Sequence, residues 1–420
     1  MDMTDTSILA DTEARAQELR DALVDKLIAD KTITTPRVEA AMRAVQRHVF
    51  AAGADLETAY ADQALPYLHA KNGVCVASVP APSTVAWMLE AAEIEPGMRV
   101  LEVGSGGYGA ALLSHLVEEV GRVVSMDIDP TVTMRAMAGL AQTDYTPIVV
   151  VGDAEYGMAR FAPYDRIIVT ASSWDVPRPW VDDLAPGGRI VMPLEMRGAQ
   201  RIIAFDTFRG LLRSTAMRHG VCEPMRGAGI RRSAPLELGG AGGVLEFDGQ
   251  LPPGADALAD VLTGERVEMP TGVRVGALEP YDALELYLAV ALPRTARLAA
   301  GADWSSRGLA PAQQQLPVLA SGADSIAYVT LRETNNTRFV EFEFVACGLG
   351  PGAAILASEL AGHIAFWNVN LRGHGDPAIT VHPAGAVTGA DDGQHTISAS
   401  HSTITLSFPF RTLEVAPCPA

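Results

Sequence analysis

Cysteine is scarce in this sequence: four residues in 420, Cys75, Cys222, Cys347 and Cys418, far apart and without a Cys-x-x-Cys pair. That spacing argues against a disulfide scaffold or a zinc ribbon and suits a reducing compartment. Basic residues are also outnumbered, 32 Lys and Arg against 50 Asp and Glu, for a net charge of −18. A surface of that sign repels phosphate backbones, and no local basic patch offsets it, so no nucleic-acid partner is expected. Neither a basic, apolar N-terminal targeting segment nor a long uncharged apolar run occurs, so no membrane partner is expected and the expected location is cytoplasmic. Metal-ligand spacing and internal repeats are absent as well, and no metal is expected. What is present is globular composition, 48% hydrophobic and 20% charged, in a length that allows two to three domains at about 150 residues each.

Residues 12–29 place Leu19, Leu23 and Leu27 four apart among charges, the pattern of an amphipathic docking helix. Thr35 is a candidate N-cap, with Pro36 at the first helical position and Val38, Met42 and Val45 on the apolar face. Beyond residue 98, short runs rich in Val and Ile at 99–103, 122–127, 147–151, 165–170 and 188–192 alternate with helical stretches. Buried strands spaced by helices imply right-handed crossovers and a parallel-rich, doubly wound sheet, a Rossmann-like α/β domain. Between Met225 and Gly254 the chain turns Gly- and Pro-rich and reads as a linker. A helix at 281–292, strands at 325–332 and 338–346, a helix at 353–367 and strands at 378–382 and 403–408 then predict a smaller α+β domain.

The segment from Arg99 to Ala110 runs from a strand through a tight glycine turn into a helix, with GxGxxG at Gly104, Gly106 and Gly109. Asp127 ends the next strand. Glycines permit the turn and the close approach of backbone N–H groups to a ligand, and an acid after the second strand can hold ribose hydroxyls. This much fits a dinucleotide dehydrogenase as well as a methyltransferase. Charge separates them: a dinucleotide brings a pyrophosphate, whereas S-adenosyl-L-methionine brings a sulfonium and an ammonium. Glu102 repels the first and attracts the second, and no Lys or Arg between Val100 and Glu119 offsets it. Gly152-Asp153-Ala154 follows the third strand, where Asp153 can accept from an adenine amino group. Leu184 to Val191 is a turn feeding a late strand. The cofactor-binding set expected is Glu102, Gly104, Ser105, Gly106, Tyr108, Asp127, Ile128, Asp153 and Ala154, for S-adenosyl-L-methionine.

Several segments, in this order, resemble the protein-L-isoaspartate (D-aspartate) O-methyltransferase family: Val45 to Phe50, Ala59 to Pro66, Leu101 to Gly106, Gly152-Asp153, Pro163 to Ala171 and Pro186 to Arg189. The resemblance covers about the first half of the chain. It implies a class I methyltransferase domain and methylation of a carboxylate on an aspartate-derived residue in a peptide or protein substrate. The long C-terminal extension resembles the subgroup encoded with ribosomally synthesised peptide natural products, whose members esterify an aspartate of a modified precursor peptide. One stretch departs from the family. Its substrate loop reads Thr-Ile-Ser-x-Pro, whereas this chain has Val76-Ala77-Ser78-Val79-Pro80-Ala81-Pro82. Either Pro80 or Pro82 can stand for the family proline, so the choice between aspartate and isoaspartate stays open at this point.

The resulting division is an N-terminal helical and substrate-loop segment (1–80), a methyltransferase domain (81–228), a linker (229–253) and a C-terminal α+β domain (254–420). The last is expected to recognise the peptide. A carboxylate is already ionised at neutral pH, so no general base is required. The groups expected at the reacting carboxylate are Ser78, Ser83 and Thr170. His48, His69 and Cys75 are read as structural. Two rivals remain: a class I methyltransferase of a small molecule with the C-terminal domain as its lid, and a non-catalytic peptide-binding scaffold. A scaffold would have been free to lose Glu102, Asp127 and Asp153.

Overall fold

The apolar runs of the first half form the strands Arg99–Val103, Arg122–Asp127, Ile148–Val151, Tyr164–Val169 and Leu184–Met196. They pair in parallel, with Val100 opposite both Val123 and Arg166. In all but the edge strand Ile148–Val151, whose Val151 is exposed, their Val, Ile, Leu and Met side chains are buried on both faces of the sheet, because helices cover both sides. The computed structural model describes residues 3–410 apart from 52, 72, 105, 232, 240–242, 300–303, 305–308, 310–317, 322–323, 335–339 and 387–392. Among the described residues no helix is long and apolar enough to cross a membrane.

One face is covered by N-terminal helices. In Met3–Ala29, Leu23, Val24 and Leu27 are buried. Helix Pro36–Ala44 starts at Thr35, whose side chain accepts from the Val38 N–H. Both join helices Pro82–Ala92 and Tyr108–Val117 in one apolar cluster that includes Met42, Leu89 and Leu113. Between them lies the antiparallel hairpin of Leu65–His69 and Cys75–Val79. Its position is fixed by Arg47, which is fully buried and donates to the carbonyls of Ala59, Gln63 and Pro80.

The sheet does not stop at the parallel strands. Ala199–Phe208 and Leu211–His219 add antiparallel beside Leu184–Met196. Ala378–Pro383 then pairs with Leu211–His219, and Ser402–Ser407 and Gln394–Ser398 complete a ten-stranded sheet. A second, all-antiparallel sheet of seven strands lies between these parts in sequence. Residues 229–253, read from the sequence as a linker, contribute its hairpin Ser233–Leu238 and Gly243–Asp248. There Leu236, Leu238, Leu245 and Phe247 are buried while Glu237 and Glu246 alternate with them, a period of two that the surrounding glycines obscured. Helices Asp282–Ala291 and Ala353–Asn370 supply apolar faces to a core that runs without a break from Ile167 and Phe205 to Leu288, Leu360 and Leu406. Buried Glu285 and Arg201, 2.9 Å apart, join the first of these helices to the large sheet.

Candidate active site

A cleft opens at the C-terminal ends of the parallel strands, the side on which open α/β sheets take ligands. Its floor is the glycine turn after Arg99–Val103. Gly104 has φ +97°, and a Cβ there would overlap the Thr170 hydroxyl, so the turn and its packing both require glycine. A Cβ on Gly106 would stand 3.9 Å from the Ser78 carbonyl and 4.0 Å from the Tyr67 hydroxyl, on the opposite wall. Ser105 lies outside the described residues.

Asp127 borders the cleft where its strand ends, and its Oδ1 accepts from the Asp129 N–H at 2.8 Å. Arg226 reaches in from beyond the last parallel strands and places its guanidinium 3.7 Å from Asp127 and 3.1 Å from Asp129. Ile128 and Ala154 add apolar surface to the same wall. Asp153 borders the cleft only through its neighbours. Its Oδ1 accepts from the Glu155 N–H at 3.0 Å and its Oδ2 from the Ala228 N–H at 2.8 Å, so the carboxylate bolts two turns together.

Glu102 is placed differently from the sequence expectation. Its carboxylate is buried beneath the glycine turn, takes a hydrogen bond from Ser125 and borders a second, smaller cavity behind the cleft. Burial, reinforced by Asp127, pushes this carboxyl up to about 7, against the Ser125 hydrogen bond. Tyr108 is likewise buried; its hydroxyl donates to the Met42 sulfur at 3.7 Å and its ring lies under the Arg47 guanidinium. It packs the core behind the turn.

The three expected carboxylate-binding groups separate. Ser78 lies in the strand Cys75–Val79 on the cleft wall, and among the described residues its buried hydroxyl has no hydrogen-bond partner. Thr170 also borders the cleft, yet its hydroxyl donates to the carbonyls of Val103 and Gly104 and its N–H to Val103. Both donors hold the glycine turn in place. Ser83 sits in the first turn of helix Pro82–Ala92, its N–H on Asp62 and its carbonyl accepting from Arg218, outside the cleft lining.

Sequence comparison places the chain among known proteins. Residues 17–220 match the family model of protein-L-isoaspartate (D-aspartate) O-methyltransferase. The protein-L-isoaspartate O-methyltransferase of Hyperthermus butylicus is 37% identical over 196 residues, 44% of this chain and 79% of that protein. That of Methanopyrus kandleri is 36% identical over 218 residues, 51% of this chain and 93% of that protein. The chain belongs to the protein-L-isoaspartate O-methyltransferase family. It is therefore an S-adenosyl-L-methionine-dependent carboxyl O-methyltransferase with a class I fold. A solved structure titled protein-L-isoaspartate O-methyltransferase is 23% identical and superposes over 58% of this chain and 92% of its own, with a TM-score of 0.46.

The donor set suits that cofactor. Asp127 can accept from two hydroxyls, Ile128 and Ala154 offer flat apolar contact, and the glycines leave room for close approach of the backbone. Beyond the matched region, Glu223, Met225 and Arg226 also line the cleft. Sequence reasoning missed these, and missed Tyr67, whose ring lies under the Arg135 guanidinium at 4.4 Å. The charged pair Glu223 and Arg226 inside an otherwise Gly- and Pro-rich stretch was the available signal. The Cys75 thiol donates to Glu223 at 3.4 Å; burial, with Glu223 beside it, holds the thiol above its ordinary range.

Proposed function

We propose that this chain esterifies an aspartyl or isoaspartyl carboxylate in a peptide, and that the substrate is a ribosomally made peptide natural product in the cytoplasm. The observation that carries the reading is Ser78 on the wall opposite the glycine turn, its carbonyl 3.9 Å from where a Cβ on Gly106 would stand and its buried hydroxyl without a partner among the described residues. A buried hydroxyl without a partner is costly, and a carboxylate oxygen in the cleft would satisfy it once the side chain turns toward it. Bound over the turn, S-adenosyl-L-methionine supplies an electrophilic methyl group. The chain's own part is to bind, align and dry the reactants. Asp127, Ile128, Ala154, Gly104 and Gly106 hold the cofactor, with Asp153 and Glu102 fixing the turns that carry them. Tyr67, Pro80 and Met225 exclude water. No residue has to remove a proton, because the substrate carboxylate is ionised at neutral pH.

In this reading residues 81–228 bind the cofactor, residues 1–80 close the cleft and bring Ser78 to the substrate carboxylate, and residues 254–420 hold the peptide. The methyl ester is then open to the backbone nitrogen of the following residue: the N–C bond forms, methanol leaves, and a succinimide results. Water can open that ring at either carbonyl, giving aspartyl and isoaspartyl products. A constrained peptide would hold the nitrogen close to the ester. The experiment is to give the enzyme the aspartyl and isoaspartyl isomers of one peptide and follow both by mass spectrometry. Gain of one methyl group and then loss of methanol is expected. Methylation of an amine, thiol or alcohol, with no methanol loss, would defeat the carboxylate reading, and turnover of a free small acid alone would favour a small-molecule enzyme.

A further inference from the structure

The turn Ala154–Tyr156, which carries Ala154 into the cofactor cleft, is held from outside the family-matched region. The strands Gln394–Ser398 and Ser402–Ser407 form a hairpin whose tip is closed by the Ala399 N–H on the Ser402 carbonyl, 2.9 Å. That tip is fastened to the loop between strand Tyr164–Val169 and helix Arg178–Asp182 by Asp175, which is 3% exposed. One carboxylate oxygen of Asp175 accepts from the His401 N–H at 2.6 Å, and the other from the Ser402 hydroxyl at 2.5 Å and the Val176 N–H at 2.8 Å. The backbone at 401 is thereby fixed. Its imidazole Nε2 reaches Glu155 Oε1 at 2.7 Å, and since a carboxylate can only accept, the imidazole donates.

Glu155 has little other support. Its side chain is 12% exposed, and burial raises its carboxyl above the ordinary range, with Asp175 and Asp153 pushing the same way and His401 opposing them. A Cβ on Gly229 would overlap its second oxygen, so the turn Gly227–Gly229 closes on it from the other side. Removing the imidazole would leave a poorly hydrated carboxylate between two acids, and the turn would shift to hydrate it.

We propose that His401 is a positioning residue for the cofactor site: through Glu155, the C-terminal hairpin holds the turn that presents Ala154 to S-adenosyl-L-methionine. The matched region ends at residue 220, so this support comes entirely from the extension. The extension then serves the cofactor as well as the peptide. The proposal rests on the assignment of the cleft to that cofactor.

The test measures the affinity of the full-length protein for S-adenosyl-L-methionine and S-adenosylhomocysteine by titration calorimetry, and separately the acceptor KM at saturating cofactor. His401→Ala should weaken both affinities about three- to tenfold, the scale of one hydrogen bond, and leave the acceptor KM unchanged. His401→Gln, which keeps a donor, should recover most of the loss. Glu155→Gln combined with His401→Ala should be no worse than the weaker single variant. The imidazole is 39% exposed, so the fold should tolerate its loss. If His401→Ala does not fold, Glu155→Gln, which keeps the side-chain size, is measured for the same affinity loss. Unchanged cofactor affinity, an additive double variant, or a raised acceptor KM at constant affinity would overturn the proposal. Wild-type protein that binds no cofactor would instead sink the functional reading itself.

Discussion

Gly109 and Glu102 compete for one space: a Cβ at residue 109 would run into the Glu102 carboxylate, which is packed under the start of helix Tyr108–Val117. The third glycine of the loop thus serves the acid behind the cleft rather than the ligand in front of it. Gly109→Ala should lower stability by about 1–3 kcal/mol, the usual cost of overpacking. Urea unfolding would show it. Combining it with Glu102→Ala, which clears the space, should cost less than the sum of the two single changes; strict additivity would mean that the two residues do not meet.

The same acid predicts a pH dependence. Its folded-state pKa, about 7, lies above the ordinary carboxylate value. The folded chain therefore holds the proton where the unfolded chain has released it. The stability this group contributes is full below the ordinary carboxylate range and is lost as pH rises through about 7. The loss is on the order of 2–3 kcal/mol. Glu102→Gln should remove this component, so the difference between wild type and variant should change between pH 5 and pH 8 in favour of the variant. Parallel unfolding curves at both pH values would contradict it.

Asp127→Ala should weaken binding of S-adenosyl-L-methionine by about 1–3 kcal/mol through loss of charge-assisted hydrogen bonds. A calorimetric isotherm equal to that of wild type would remove Asp127 from the site.

Ser78→Ala should separate stability from turnover. The hydroxyl has no partner among the described residues, so its removal should leave the melting temperature unchanged or slightly higher. Methyl transfer to the peptide should fall about tenfold, with cofactor affinity unchanged. A lowered melting temperature together with normal turnover would show that the hydroxyl is structural.

Much of this was legible in the chain. The strands Arg99–Val103 and Arg122–Asp127, the cap at Thr35 with Pro36 after it, and the helix beginning at Ala353 follow from periods and caps that act within a few residues. Which strand pairs with which is decided by the whole core. Nothing local in Ala378–Pro383 says that it abuts Leu211–His219. The site divides in the same way. Gly104 and Asp127 sit in the cleft because a turn and a strand end put them there, while the donors of Thr170 were already committed to the carbonyls of Val103 and Gly104. Residue type reports that a hydroxyl is present and is silent about which partner takes its proton.

The pairing of Leu212 with Val381 spans about 170 positions along the chain. During synthesis the family-like half therefore leaves the ribosome with Leu211–His219 as an open sheet edge. At about 5–20 residues per second, the strand that pairs with this edge at Leu212 and Arg213 arrives on the order of ten to thirty seconds later. Over that interval the nascent chain carries an unpaired row of backbone donors and acceptors, a template for wrong pairing with another chain. Slower translation through the second sheet should lengthen this exposure and increase aggregation during expression, and supplying residues 378–407 earlier, by circular permutation, should relieve it.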